Sequence, residues 1–161
     1  MTALCPDAPH ERAAAEVTDL LDRWLEDHRS YHDVVHLAEV LAALDELAEG
    51  GDLPARDRHL AGLAAWYHDA VYEAGRRDNE ARSAGLAASA IARWLPDEGL
   101  DAAHVAGLIE LTARHGALSP DELGTGPDGG DRRNFLDCDM AILGAAPDAF
   151  DAYDRAIAEE Y

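Results

Sequence analysis

The chain predicts an all-α fold, a single-domain bundle of about seven helices, from its apolar spacing. Three observations carry this expectation. Ala and Leu dominate, β-branched residues are sparse and only 6% of residues are aromatic, which favours helix over strand. Apolar residues recur at three- and four-residue spacing in one segment after another. Gly-Gly, Gly-Pro and single Pro residues punctuate those segments. At 161 residues the chain holds one substantial core and is too short for two ordinary domains.

The elements follow in order. A first helix over 10–28 opens after Pro9 and carries Ala14, Val17, Leu20, Leu21, Trp24 and Leu25 on one stripe. A second over 32–49 carries Val35, Leu37, Val40, Leu41, Leu44 and Leu47 and stops at Gly50-Gly51. A third runs from Pro54 to Val71, and Gly75 closes the segment. A fourth begins at Asn79, read as an N-cap, and ends before Pro96. Asp101 caps a fifth, which ends near Gly116. The stretch 119–130, SPDELGTGPDGG, reads as a loop because it is rich in Gly and Pro. A sixth helix runs from Asp131 to Gly144, and Pro147 opens a seventh. That last helix, AFDAYDRAIAEEY, stops mid-pattern without a C-cap, so the natural protein is expected to continue beyond it.

Composition narrows the function. The net charge is −20, from 33 acidic and 13 basic residues, and such a surface repels long nucleic acids and anionic membranes. All the basic residues are Arg, which excludes a Schiff-base lysine and a phosphate-loop lysine. The cysteines, Cys5 and Cys138, lie far apart in sequence, which argues against a disulfide framework. No signal-peptide pattern opens the chain and no apolar run spans a membrane. A soluble cytoplasmic protein is expected. Trp24, Trp66 and Trp94 serve a core or an interface equally well, so a homodimer stays open.

The chemistry concentrates on His68-Asp69, at the end of the apolar run LAGLAAWYHDAVYE. Adjacent side chains point roughly 100° apart on a helix, so the two meet at one point only in a groove beside it. A divalent metal ion is the usual reason to set a nitrogen and a carboxylate oxygen side by side in apolar surroundings. His36 and Asp139 also adjoin apolar helical residues, where charge is costly unless paired or metal-bound. His32 and His36 are four apart and would share a helix face. Asp137 and Asp139 would lie about 200° apart, so only one of them reaches the site.

Together these segments resemble a known superfamily. RSYHDVVHLAEVL, AAWYHDAVYE, RDNEARSA, LTARHG and NFLDCDMAILG occur in this order, and the set is similar to the small bacterial group of predicted metal-dependent phosphohydrolases within the HD-domain superfamily. The resemblance runs from about residue 29 to the C-terminal end. It implies metal ligation by His36, His68, Asp69 and Asp139, with Asp137 behind them. It implies one divalent ion rather than two: Mn, Fe, Co, Ni or Zn, with Mg a poorer fit to a mixed nitrogen and oxygen shell. Glu73 and Glu80 are the candidates to relay a proton. His115, Arg82 and His32 are the candidates to contact a small phosphorylated substrate, with a nucleotide foremost. Met140 departs from the pattern, because several enzymatic members carry a basic residue after the last Asp. That departure keeps open a catalytically weak module that binds a metal or nucleotide and regulates a partner. Phosphate affinity would then depend on Arg29, Arg82 or Arg114 turning inward.

Overall fold

The computed structural model describes residues 9–96 and 98–161. Cys5 and the N-terminal stretch lie outside them, as does the side chain of His10. Seven α-helices stand among the described residues, with no strand: α1 (Pro9–Trp24), α2 (Val34–Gly50), α3 (Ala55–Tyr67), α4 (Asn79–Trp94), α5 (Ala102–Thr112), α6 (Pro127–Asp139) and α7 (Pro147–Glu160). Short 3₁₀ turns at His115–Ala117, Pro120–Leu123 and Ala141–Gly144 complete the fold. No described helix is long and apolar enough to cross a membrane.

Helix α3 is central and touches α2, α4, α5 and α6. Its inward face is Ala61, Ala64 and Ala65, almost wholly buried, and such small residues let neighbouring helices approach closely. Trp24, Val40, Leu44, Val105, Leu108, Ile109 and Phe135 fill the space around it. Asp33 caps α2 by accepting from the Val35 and His36 N–H groups. Gly51 ends α2 at φ 85°, with its N–H bonded back to Ala48 and Leu47. Asp101 caps α5 through the His104 N–H, as the sequence predicts.

Several boundaries differ from expectation; α5, for one, stops at Thr112 rather than near Gly116, and those around α1, α3 and α4 have a tertiary reason. Helix α1 stops at Trp24 rather than residue 28, and Arg29, just beyond it, turns its guanidinium wholly inside. Helix α3 stops at Tyr67 rather than Val71. Beyond it, Ser83 takes the Val71 N–H, and the Asn79 amide takes both the N–H and the carbonyl of Glu73. These bonds supply partners to backbone groups that the helix no longer pairs, and Asn79 is the first helical residue of α4 rather than its cap.

The segment 119–130 is not one loop. Ser119 and Glu122 form a capping box over a 3₁₀ turn, and α6 already begins at Pro127. One of its glycines marks a close backbone approach: a Cβ on Gly129 would stand 2.5 Å from the Gly124 carbonyl oxygen. The sixth helix in turn ends at Asp139, and a separate 3₁₀ turn carries the chain to Gly144.

Candidate metal centre

The ends of three helices deliver the candidate ligands. His36 sits in the first turn of α2, held by the Asp33 cap. His68 is the residue at which α3 ends, and Asp69 follows in the turn. Asp139 is the last residue of α6. All four are buried, His68 most deeply at 1% exposure. Trp24 and Phe135 pack against the His68 ring at 5.4 and 6.1 Å. His68 Nδ1 lies 2.8 Å from the Ala65 carbonyl. A carbonyl only accepts, so Nδ1 carries a proton and Nε2 is the nitrogen turned toward the other candidate ligands.

The ligand atoms converge. His36 Nε2 and His68 Nε2 are 3.2 Å apart. Asp139 Oδ1 lies 3.2 Å from the first and 3.5 Å from the second. Asp69 Oδ2 lies 3.3 Å from His68 Nε2 and 4.0 Å from His36 Nε2. One donor atom from each of His36, His68 and Asp69 falls within 4.8 Å of the others. A zinc-sized ion bound at about 2.0–2.1 Å separates tetrahedral ligands by about 3.3 Å. The donor set and its spacing therefore fit a divalent transition-metal ion.

The electrostatics point the same way. Asp69 and Asp139 are buried carboxylates at the C-terminal ends of two helices, where the helix dipole is already negative. Burial alone would raise the Asp139 pKa, yet hydrogen bonds from His115, His36 and His68 hold it well below the usual carboxylate range. Burial would likewise lower the His68 pKa, but Asp69 and Asp139 beside it raise it to about 9. The pocket thus favours positive charge between its carboxylates.

A cavity of about 200 Å³ opens beside this cluster. Its wall includes His68, Asp69 and Asp139, together with His32, His115, Glu80, Arg76, Tyr72 and Tyr161. His115 Nδ1 lies 3.2 Å from Asp139 Oδ2, so Asp139 is shared between that ring and the histidine pair. Glu80 is half-buried on the cavity wall. His32 lies in the turn before α2, not on its face, and its ring still stands 5.8 Å from that of His36. A larger cavity of about 640 Å³ lies elsewhere, against Leu41, Leu63, Trp66 and Leu100, and none of the four candidate ligands lines it.

Other candidates stand apart from the cavity. Glu73 is exposed and paired with Arg82 and Arg76. Arg82 is exposed in that pair, and Arg114 pairs with Glu122. Asp137 is exposed on the far side of α6 and does not back the ligands. Cys138 is buried and free.

Arg29 takes a different role from the one expected, and Glu160 has no counterpart in the sequence analysis. Arg29 does turn inward, but its Nη1 donates to the carbonyls of His32 and Asp69, at 2.9 and 2.8 Å. It ties the two histidine segments together rather than facing the cavity. Glu160 at the end of α7 accepts from three successive N–H groups, those of Ser30, Tyr31 and His32. Burial would raise its pKa, but the His32 ring and the Tyr31 and His32 N–H groups hold it far below the usual range. A buried Arg beside a histidine segment is a weak sequence signal, and nothing in the sequence distinguishes Glu160 from Glu159.

No protein-family model, curated protein or solved structure matches the chain.

Proposed function

We propose that the chain is a metal-dependent phosphohydrolase acting on a small phosphorylated metabolite. The observation that carries the reading is the convergence of His36, His68 and Asp69 donor atoms within 4.8 Å of one another, with an Asp139 oxygen 3.2 and 3.5 Å from the two histidine nitrogens, beside a polar cavity. The HD-superfamily resemblance of the same residues supports it. His36, His68, Asp69 and Asp139 would hold one divalent ion, of Mn, Fe, Co, Ni or Zn. Such an ion supplies Lewis acidity to a phosphoryl group and makes a neighbouring water more acidic.

This chain's own residues do the rest. Glu80 faces the cavity and is the better-placed proton acceptor of the two glutamates, since Glu73 is committed to Arg82. His115 holds Asp139 in orientation through its second oxygen. His32, His115 and Arg76 offer donors to an anion. The cavity, at about 200 Å³, is smaller than the roughly 300–1,000 Å³ usual for drug-sized ligands. It suits a phosphate with a small attached group, and nucleotides are the first class to screen. The reading takes the protein as cytoplasmic, with no long nucleic acid as partner.

One observation favours a second reading, a catalytically weak regulatory module that binds a metal or nucleotide. The arginine on the cavity wall, Arg76, has its guanidinium edge engaged by Asp78 at 2.7 and 2.8 Å, which leaves little free positive charge for phosphate. Metal analysis of the wild type and Asp69→Ala, followed by a phosphatase screen, separates the outcomes. About one equivalent of metal, lost in the variant, with turnover abolished by Glu80→Gln, supports the hydrolase. Metal without turnover on any phosphate supports the module. No metal after incubation with Mn and Zn sinks the hydrolase and leaves a helical binding module.

A further inference from the structure

The Glu160 carboxylate is wholly shielded from solvent although it ends the last helix. One oxygen accepts from the Ser30, Tyr31 and His32 N–H groups at 2.7, 2.7 and 2.9 Å. The other lies 2.7 Å from His32 Nδ1 and accepts from the Tyr72 hydroxyl at 2.9 Å. A carboxylate has no proton to give here, so Nδ1 of His32 must be the donor. The Tyr72 ring stacks on His32 at 4.4 Å and fixes its plane. His32 lines the cavity, and its Nε2 has no protein partner among the described residues. Tyr31, held by the same carboxylate, packs on His36 at 4.9 Å.

We propose that Glu160 is a positioning residue for substrate: it locks the His32 ring so that Nε2 is presented to the cavity, where it meets an oxygen of the bound phosphate. The proposal rests on the phosphohydrolase reading and adds to it a role for the last turn of α7. The geometry follows the logic by which a buried carboxylate orients a working histidine through its other nitrogen. Removing Glu160 therefore acts on phosphate through His32, while the four candidate metal ligands keep their own supports.

The test uses the whole chain loaded with zinc, with inorganic phosphate as the probe. Nitrogen-15 spectra of the histidine rings should find His32 Nδ1–H held on Glu160 and, with phosphate bound, a second proton on Nε2 donated to a phosphate oxygen, so that the Nε2 resonance moves when phosphate is added. Glu160→Gln should lose the fixed Nδ1–H, keep its zinc and weaken phosphate binding about tenfold or more, the loss expected for one oriented hydrogen bond to a charged group. His32→Ala should show the same loss, and the double variant no further loss, because the two act as one unit. An unmoved His32 resonance at saturating phosphate overturns the proposal, even if Glu160→Gln fails to fold. So does a Glu160→Gln protein that binds phosphate as tightly as the wild type. A wild type that takes up no zinc sinks the phosphohydrolase reading and the proposal with it, whereas zinc and phosphate bound without His32 sink the proposal alone.

Discussion

Replacing Arg29 by alanine removes a cation that joins the two histidine segments from inside. Its side chain has no exposure. Its Nη1 satisfies the His32 and Asp69 carbonyls, and its guanidinium lies over Trp24 and Tyr72 at 5.5 and 5.4 Å. The ion pair with the more exposed Glu26 contributes little. The main loss is one buried and one partly buried carbonyl left without donors, at about 1–3 kcal/mol each. Water entering the space vacated offsets part of this, leaving about 3 kcal/mol. For a chain of this length, that corresponds to a Tm lower by roughly 6–12 °C. Arg29→Lys keeps the charge but not the fork, and should lose about half as much. Thermal unfolding followed by circular dichroism measures both. Metal affinity should fall in parallel, because the Asp69 backbone loses its anchor. An alanine variant that melts within about 2 °C of the wild type would refute the reasoning.

Other consequences are as concrete. Glu80→Gln should lower turnover by about 10²–10⁴-fold while metal content is unchanged, and Glu73→Gln, an exposed ion-pair residue, should leave turnover close to wild type. Steady-state kinetics on the best substrate decide between them. Gly129→Ala pushes a methyl group into the Gly124 carbonyl and should cost about 1–3 kcal/mol, read as a lower midpoint in urea. Glu160 gives a pH signature. Its carboxyl is depressed in the folded protein from an ordinary value of 4.5, so its stabilisation is present above that pH and is lost as pH falls below it. The stability difference between wild type and Glu160→Gln should therefore narrow on acidification below about pH 4.5, which denaturant titrations at several pH values would follow.

The helical class was legible because composition and the 3.6-residue period act locally. Helices α2, α4 and α7 begin and end close to the positions their caps, Gly and Pro predict, whereas α5 starts where Asp101 predicts but stops at Thr112, short of Gly116. The ends of α1 and α3 were not legible, because Arg29, Ser83 and Asn79 supply side-chain partners from elsewhere in the fold. The Gly-rich stretch misled for the same reason. Gly129 is small to clear the Gly124 carbonyl, a requirement that two backbones set jointly.

At the site, His36, His68, Asp69 and Asp139 stood out because titratable groups interrupt apolar runs, and burial makes such interruptions costly without a partner. Such interruptions mark residues but carry no information about the distances between them. They do not separate Glu80 from Glu73 either, since both follow the His68-Asp69 pair in an acidic, arginine-rich segment. Only the turn after α3, pinned by Asn79, sends Glu73 to solvent and leaves Glu80 on the cavity wall.

The sequence by itself determined the helical class, the sign of the surface charge and the chemical types available to the site. The tertiary structure decided which atoms meet. Periodicity places a side chain on a face of its own helix and carries no information about the helix across from it. Glu160 and His32, 128 positions apart, became one hydrogen-bonded unit only when α7 packed over the turn before α2.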